Sequence, residues 1–360
     1  MTGSSRANPV AAPLRCTQMS SAILNFAWRP IDYSYRATVT LLEHRKMNLG
    51  TQPILISRRL RSRVTDAQIN DALREPLIIL SAPRSGSTLL FEYLTRLAGT
   101  SWIGGESHRV YRNFPHLGIA NASFDSASLD ESHAAGNCKI LFRDTVADLL
   151  RDSTSQLFAE DPVRFLSSRP TFIEKTPRNA LNIPFLNAVF PDARYIFLYR
   201  SPAENVASIM EAWSFGLKTG RFVTFPKLPG WNRAGWCFLL PPGWRDMIGK
   251  SLAEIATFQW QASNQTILDN LSRLPKGRSI AVSYEAMLAN PQEELARLLR
   301  FIGTPHPEQS HKNFASSLST TTISAPHKDK WRRFEEEIAA FIPELEETMA
   351  MIRTFEKACE

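Results

Sequence analysis

Short apolar runs alternate with segments of helical periodicity from residue 77 onward. The apolar runs predict strands at 77–81, 171–175, 194–200 and 278–284. Between and after them, apolar residues spaced three and four positions apart predict helices at 88–99, 179–190, 202–213, 251–271 and 290–303. Because strands that alternate with helices pair in parallel and are covered on both faces, the pattern predicts an α/β, three-layer fold with a central parallel sheet flanked by helices.

The chain before residue 76 lacks this alternation. Residues 1–20, rich in Ser, Ala and Pro, predict a flexible tail, and residues 21–75 predict a basic N-terminal arm before a domain at 76–360. Residues 1–63 hold ten Lys and Arg against two Asp and Glu, a net charge of +8, so this region accounts for the +7 of the whole chain and residues 64–360 carry −1. We therefore expect no nucleic-acid partner for the nearly neutral domain, and peripheral contact of the arm with an anionic membrane.

Composition narrows the class of protein further. Hydrophobic residues make up 43% of the chain, which indicates a globular protein rather than a disordered one. The sequence contains no apolar run of membrane-spanning length and no secretory signal, and its four scattered cysteines lack zinc-site spacing. These features predict a cytoplasmic protein, peripheral to a membrane if the arm binds one. They do not indicate an oligomeric state.

The segment 81–88 (SAPRSGST) is the strongest candidate for a binding site, because it connects a predicted strand to a predicted helix. The backbone amides of such a turn converge with those of the helix N-terminus, and together they bind anions. Gly86 allows a phosphate to approach the backbone closely. The remaining members of this predicted phosphate cradle are Arg84, Ser85, Ser87 and Thr88. The arrangement makes the predicted fold P-loop-like.

A P-loop kinase or NTPase is an alternative that two features oppose. The pattern G-x-x-x-x-G-K-[ST] requires Lys after its last Gly, yet Gly86 is followed by Ser87, and Ser81 replaces the first Gly. The strand at 194–200 ends in Arg200 instead of a magnesium-binding Asp. Asp144 is expected at a solvated helix start. We therefore expect no metal, and a non-catalytic anion- or lipid-binding protein remains a second alternative.

The loop PRSGST resembles the 5′-phosphosulfate loop of sulfotransferases that use 3′-phosphoadenosine 5′-phosphosulfate (PAPS). In that family an Arg at a strand end and a Ser eight residues later bind the 3′-phosphate of the nucleotide. Arg200 and Ser208 have this spacing, and Pro202 begins the intervening helix. Eight residues across a turn and about two helical turns return a hydroxyl toward the strand end, which makes the pairing geometrically sensible.

Three further segments are similar to parts of the same family, so the resemblance extends from Leu77 to Trp331. The E-K-T-P segment at 174–177 implies that Lys175 lies near the transferred group. Tyr284, in VSYEAM, matches a Tyr near the adenine, and Lys330, in PHKDKW, matches a Lys that closes over the nucleotide.

Two departures from the cytosolic aryl and steroid enzymes stand in the loop region. Arg84 replaces their Lys, and Leu89 replaces a Trp that they place just after the loop. Both point to the protein-tyrosine-like and broad bacterial branch of the family.

The resemblance implies that PAPS donates a sulfuryl group in line to a hydroxyl acceptor, with an amine as the less expected choice. Arg84 and Lys175 would stabilise the charge that develops on the leaving phosphate. A general base should face them, and Glu106 in GGESHRVYR is our choice, with His108 second.

The acceptor is not identified by any motif, and a lipid, a glycan and an aromatic compound all remain candidates. The insert at 216–250 contains Trp231, Trp236 and Trp244, which form either a lid or acceptor-pocket wall, or a structural anchor. Arg109 is expected to be a surface arginine, with contact to an anionic acceptor as the alternative.

Overall fold

The four predicted strands form one six-stranded sheet together with two strands that the sequence pattern did not predict. The computed structural model describes residues 63–303 and 329–359, without the side chain of Lys330. Its strands in chain order are β1 (Leu77–Leu80), β2 (Thr100–Trp102), β3 (Arg151–Asp152), β4 (Thr171–Lys175), β5 (Arg194–Tyr199), β6 (Val223–Phe225), β7 (Trp236–Cys237) and β8 (Ser279–Ser283). The main sheet has the order β3-β2-β4-β1-β5-β8, and β6 pairs with β7 separately. The main sheet is parallel except for the edge strand β3, which runs antiparallel to β2.

Helices surround this sheet. The α-helices are α1 (Asp66–Ala72), α2 (Ser87–Leu94), α3 (His108–Tyr111), α4 (Cys138–Leu149), α5 (Pro162–Ser168), α6 (Ile183–Val189), α7 (Pro202–Thr219), α8 (Leu252–Leu271), α9 (Tyr284–Ala289), α10 (Pro291–Ile302), α11 (Glu335–Ile338) and α12 (Ile342–Cys359). Short 3-10 helices occupy Pro115–Leu117, Glu131–Ala134, Phe158–Glu160, Pro177–Leu181, Trp244–Met247, Lys330–Phe334 and Ala339–Phe341. None of the helices in these described segments combines the length and apolarity needed to cross a bilayer.

The central strands are apolar on both faces because helices cover both sides of the sheet. Side chains alternate along a strand, so Ile78 and Leu80 enter one core and Leu77 and Ile79 the other. The first core is built with α1, α4, α6, α7, α8 and α12, and the second with α2, α9 and α10. The predicted α/β, three-layer, P-loop-like fold is therefore confirmed, with one antiparallel edge strand in addition.

Some predicted helix boundaries are wrong. Helix α2 ends at Leu94 instead of residue 99. At this end the Thr95 hydroxyl donates to the Phe91 carbonyl at 2.9 Å. The predicted helix at 179–190 is a 3-10 helix followed by α6. Helix α7 continues to Thr219 and ends at Gly220, inside the predicted insert. Periodicity alone did not distinguish these ends because apolar residues continue past them.

Asp144 is also placed differently from the expectation. It lies in the second turn of α4 and only 4% of it is exposed, so it does not begin a solvated helix. Its neighbours on this helix, Phe142 and Val146, belong to the core.

The predicted arm at 21–75 lies mostly outside the described residues, as does the tail at 1–20. The described end of the arm forms α1, which starts with a capping box at Thr65 and Gln68. Ile69 and Leu73 are buried in the core of the domain. The exact domain limits remain a prediction.

Two of the three tryptophans of the insert lie in the interior, and Trp231 is half-buried. Trp236 and Trp244 are fully buried, and Trp236 packs edge-on against Trp213 of α7 with ring centroids 5.3 Å apart. The indole N–H of Trp236 donates to the Leu239 carbonyl at 2.7 Å, and that of Trp244 to the Phe124 carbonyl at 2.9 Å. These contacts favour the structural anchor for Trp236 and Trp244, because buried rings with satisfied donors are core residues.

Candidate functional site

The predicted site residues converge at one edge of the sheet. Strand β1 runs into the loop 81–88, β4 ends at Lys175, β5 is followed by Arg200, and β8 is followed by Tyr284. Because these strands are parallel and adjacent, their carboxyl ends meet in a single crevice.

The loop 81–88 adopts a strained backbone that exposes its amides. Gly86 caps α2 with a φ of 92°, and Arg84 has a φ of 66°. A Cβ atom on Gly86 would lie 2.3 Å from a ring carbon of Tyr284, so only glycine fits between the loop and this ring. The first amides of α2, at Ser87 and Thr88, are free of intrahelical partners and suit an anion.

The Ser85 side chain serves the loop itself. Its hydroxyl is buried, 2.7 Å from Oδ1 of Asn205 and 2.9 Å from the Ala82 carbonyl. The amide Nδ2 of Asn205 donates to the Pro83 carbonyl at 2.7 Å. Ser85 can therefore offer a ligand its backbone N–H but not its hydroxyl. Asn205, which attaches the loop to α7, was missed because no local signal marks it in the sequence.

Lys175 connects the phosphate loop to the candidate base. Its ammonium Nζ lies 2.6 Å from Oε1 of Glu106 and 3.2 Å from Oγ1 of Thr88. The side chain is 5% exposed and passes 5.7 Å from the centroid of the Phe91 ring. The three residues come from α2, β4 and the loop after β2, and only the sheet brings them together.

Glu106 carries an unusually stable negative charge. Its second oxygen, Oε2, is 3.1 Å from Nε2 of His108. Burial raises the pKa of Glu106, but the Lys175 ammonium and the His108 ring outweigh burial and lower this pKa to about 2. The two candidate bases are thus in direct contact, and the carboxylate is a weak base while Lys175 stays paired with it.

The segment 174–177 contains Lys175 and also contacts Ser107, the residue that follows Glu106. The Ser107 N–H donates to Oγ1 of Thr176 at 2.7 Å, and the Ser107 hydroxyl donates to Glu174 Oε1 at 2.6 Å. Burial raises the pKa of Glu174, which also accepts from Asn179. The E-K-T-P motif in the sequence indicated only Lys175. Glu174 and Thr176 therefore have a positioning function that the motif reading missed.

Arg200 and Tyr284 lie together on the other side of the loop. The Arg200 guanidinium is 5.0 Å from the centroid of the Tyr284 ring and donates to the Arg84 carbonyl at 3.3 Å. Its Nε is buried and has no hydrogen-bond partner among the described residues.

Two other predicted nucleotide contacts are less well placed. Ser208 is half-buried on α7, and no hydrogen bond within the described segments links it to Arg200. The Lys330 side chain lies outside the described part of the chain. The neighbouring Asp329 amide donates to Oε1 of Glu204 at 3.2 Å, which puts the start of this segment beside α7.

Arg84 faces the insert. Its guanidinium lies 5.3 Å from the centroid of the Phe222 ring. Burial lowers the pKa of Arg84 to about 10, Glu211 opposes this shift, and Arg200 and Arg221 add to it. Phe222 is therefore the part of the insert that reaches the crevice.

A model of the sulfotransferase family matches residues 76–236 and 238–308, which is most of the chain. The chain belongs to the sulfotransferase family. The resemblance inferred from the loop and the R-S-P segment is thereby confirmed. The kinase and non-catalytic alternatives receive no support from the match.

Known proteins similar to this sulfotransferase are distant. The nodulation protein NoeE of Sinorhizobium fredii is 26% identical over 248 residues, covering 63% of this chain and 50% of NoeE. The chain thus spans about half the length of this curated relative.

Solved sulfotransferase structures are also similar to this chain, with low sequence identities and TM-scores. The sulfotransferase domain from the curacin biosynthetic pathway is 19% identical, with 74% of this chain and 98% of that one covered and a TM-score of 0.40. A sulfotransferase from Mycobacterium tuberculosis is 12% identical, with coverages of 78% and 81% and a TM-score of 0.43. A mouse sulfotransferase complexed with PAP is 12% identical, with coverages of 83% and 93% and a TM-score of 0.40.

The crevice of this sulfotransferase has two places that suit an anionic group. The loop amides at Gly86 suit one phosphate, and the buried, unpartnered Nε of Arg200 suits a second anionic group. No cluster of three metal-ligating side chains occurs in residues 63–303 and 329–359. The individual roles of the site residues, and the expectation that the reaction needs no metal, stay predictions.

Proposed function

We propose that this protein transfers a sulfuryl group from PAPS to a hydroxyl-bearing acceptor. The observation that carries the proposal is the position of Lys175, whose ammonium joins the phosphate loop at Thr88 to the carboxylate of Glu106. A cation for the leaving phosphate and a base for the acceptor hydroxyl thus lie within reach of one site, and an in-line transfer needs both once Lys175 contacts the phosphate and Glu106 the acceptor.

PAPS would supply the sulfuryl group. We assign its 5′-phosphate to Arg84 and the amides of Ser85, Gly86, Ser87 and Thr88. The 3′-phosphate would bind Arg200 and Ser208, and the adenine would lie near Tyr284. Lys330 would close over the nucleotide. The guanidinium of Arg200 already contacts the Arg84 carbonyl and Oε2 of Glu204, each at 3.3 Å, but its buried Nε has no acceptor among the described residues. That free donor supports the arrangement, because a buried N–H without a partner gains from an anion.

In the transfer step the acceptor oxygen forms a bond to sulfur as the bond from sulfur to the 5′-phosphate oxygen breaks. The electron pair of the broken bond remains on that phosphate oxygen, where Lys175 and Arg84 balance its charge. The acceptor proton passes to Glu106 or through His108. When Lys175 turns toward the phosphate, Glu106 loses its strongest cation, and its pKa rises from about 2.

The proposal is tested by comparing the product nucleotide PAP with ATP and magnesium in calorimetry. We expect PAP to bind and ATP with magnesium to bind more weakly by about tenfold or more, because the loop lacks the lysine that grips β- and γ-phosphates. Preferential binding of ATP with magnesium would support a kinase instead.

Glu106→Gln separates catalysis from binding. Glu106 is assigned to the acceptor side, so the variant should bind PAP as the wild type does and lose about a hundredfold or more in sulfuryl transfer. Transfer is followed with a panel of lipid, glycan and aromatic alcohols. His108→Ala is the matched comparison, and unchanged turnover in Glu106→Gln with loss in His108→Ala would assign the base to His108.

The acceptor class and the cellular location belong to the proposal as well. We infer a cytoplasmic enzyme, with the basic arm able to contact an anionic membrane. The support is the charge of residues 1–63 alone, since residues 1–62 lie outside the described structure.

A further inference from the structure

Two arginine side chains meet at the end of β2, next to the proposed site. Gly104 follows this strand with a φ of 78°. A Cβ atom at Gly104 would lie 3.0 Å from Nε of Arg151 and 3.3 Å from Nη2 of Arg109. Both guanidinium groups therefore reach the same point, although Arg109 belongs to α3 and Arg151 begins β3.

Neither guanidinium has a counter-charge in the described structure. Arg109 was expected at the surface, yet its Nε and Nη2 are buried and lack hydrogen-bond partners among the described residues. Arg151 donates one hydrogen bond, from Nη1 to the Ser155 carbonyl at 3.1 Å. No ion pair of either arginine is found in residues 63–303 and 329–359. Burial and the charge of Arg151 together lower the pKa of Arg109.

Such an arrangement costs stability in the empty protein. A buried donor without an acceptor lowers the stability of the folded state, and a charged donor lowers it more. Two like charges at one place add repulsion. Native structures rarely keep buried polar groups unsatisfied, and a ligand site is one recognised explanation.

The sheet order places this pair opposite the nucleotide. Lys175 ends β4, which lies between β1 and β2. The proposed nucleotide contacts Arg200 and Tyr284 follow β5 and β8, on the far side of β1. Neighbouring strands are about 4.8 Å apart, so the arginine pair lies roughly one strand beyond the transfer centre. The acceptor must enter from this side, because the nucleotide would occupy the other.

We propose that Arg109 and Arg151 bind an anionic group, a carboxylate, phosphate or sulfate, carried by the acceptor. The proposal rests on the proposed function, since it places the reacting hydroxyl beside Glu106. Two converging guanidinium groups offer forked donors that match the planar or tetrahedral oxygens of such groups. The acceptor is accordingly an anionic alcohol, and a neutral lipid or neutral glycan fits this side of the crevice less well.

Anion binding is measured by calorimetry with inorganic phosphate as the probe. The protein is first saturated with PAP, so that the phosphate loop is filled, and ionic strength is held constant. We expect Arg109→Gln to weaken phosphate binding by about tenfold or more, the loss of a charge-assisted contact. Arg112→Gln is the control, because Arg112 is exposed at the end of the same helix and the charge change is identical. An equal effect of both variants, or no phosphate binding by the wild type, would overturn the proposal.

Thermal stability gives a second, independent readout. If the pair is a ligand site, Arg109→Gln relieves repulsion and raises the melting temperature in phosphate-free buffer, and it removes the stabilisation that phosphate gives the wild type. If Arg109 has only a structural role, the same variant lowers the melting temperature, and the proposal fails.

Two further arms identify the source of the anion and separate this proposal from the proposed function. Glycerol 3-phosphate, an alcohol that carries a phosphate, should bind at least as tightly as inorganic phosphate, whereas its exclusion would mean that the site takes only a free anion. Both titrations are repeated without PAP. Failure of PAP to bind contradicts the proposed function, while Arg109-dependent binding of glycerol 3-phosphate in that case would still support the anion site.

Discussion

Lys175 keeps its neighbour Glu106 negatively charged, because its ammonium lowers the pKa of that carboxyl. Its ammonium is nearly enclosed, whereas the Glu106 carboxylate to which it is paired is 34% exposed. The pair therefore resembles neither a solvated surface bridge nor a fully buried one. The proposed transfer step depends on that intermediate position, because the exposed part of the carboxylate would be open to the acceptor hydroxyl once an anion draws Lys175 away.

The pair should leave a signature in acid stability. The pKa of Glu106 falls from its ordinary 4.5 to about 2, so the pair stabilises the folded state above pH 4.5, and this contribution is lost as the pH falls toward 2. In Lys175→Met the main cause of the low pKa is gone, so melting temperature should fall less steeply across this window. Equal slopes in melting curves recorded from about pH 2 to 6 would contradict the assigned cause.

Thr176 should act as a positioning residue for Glu106. Only 1% of it is exposed, and its hydroxyl accepts from the Ser107 N–H. Thr176→Val leaves that amide buried without a partner, which should lower the free energy of unfolding by about 1–3 kcal/mol. Thr176→Ser keeps the hydroxyl and should recover most of the loss. Denaturant titrations of both variants measure the difference, and a Ser variant no better than Val would exclude the hydrogen bond as the cause.

At the scale of elements, the loop between β1 and α2 combines several constraints. Gly86 must be left-handed to begin the helix and must also leave room for the Tyr284 ring. Asn205 of α7 holds the same loop from the other side. The loop shape is thus determined by three separate elements.

Gly86→Ala should lower the affinity for PAP by more than its loss of folding stability can account for. Gly99→Ala is a matched control, because Gly99 has a φ of 78° but no atom within 4 Å of the place that a Cβ would take, whereas Gly86 has the Tyr284 ring at 2.3 Å. Both variants should lose about 1–2 kcal/mol of stability through backbone strain. Only Gly86→Ala should lose PAP affinity, by about tenfold or more. Calorimetry with PAP distinguishes them, and equal affinities would show that the loop tolerates the contact.

The hydrophobic pattern of the sequence predicted the strands better than the ends of the helices. The strands β1, β4, β5 and β8 were predicted within a residue or two, because buried parallel strands are continuous apolar runs. Helix ends were less predictable, since α2 ends early at Leu94 and α7 runs on to Thr219. Such ends depend on capping contacts and on what packs beside them, and a helical period does not encode either.

At the scale of the whole molecule, charge is distributed unevenly along the chain. Residues 1–63 hold the surplus, and the remainder of the chain is close to neutral. We expect the full chain to bind vesicles that contain anionic lipid, and to release them as salt rises. Reversing Arg58, Arg59 and Arg61 to Glu should abolish this binding and leave PAP affinity unchanged. Cosedimentation with anionic and neutral vesicles measures the effect, and equal binding to both would contradict it.

The sequence by itself determined the alternation of strands and helices, the phosphate loop and the family. These features depend on residues that are near one another in the chain, and local spacing is directly readable. It also pointed to Lys175, Arg200, Glu106 and Tyr284, although each only as a member of a motif.

The tertiary structure decided which of these residues meet. Lys175 and Glu106 are 69 residues apart and Ser85 and Asn205 are 120 apart, yet both pairs are in contact. The spatial strand order β3-β2-β4-β1-β5-β8 is not the order in the chain, so the neighbours along the crevice cannot be derived from spacing. Burial likewise arises only when elements pack, and burial is what distinguishes Arg109 from a surface arginine.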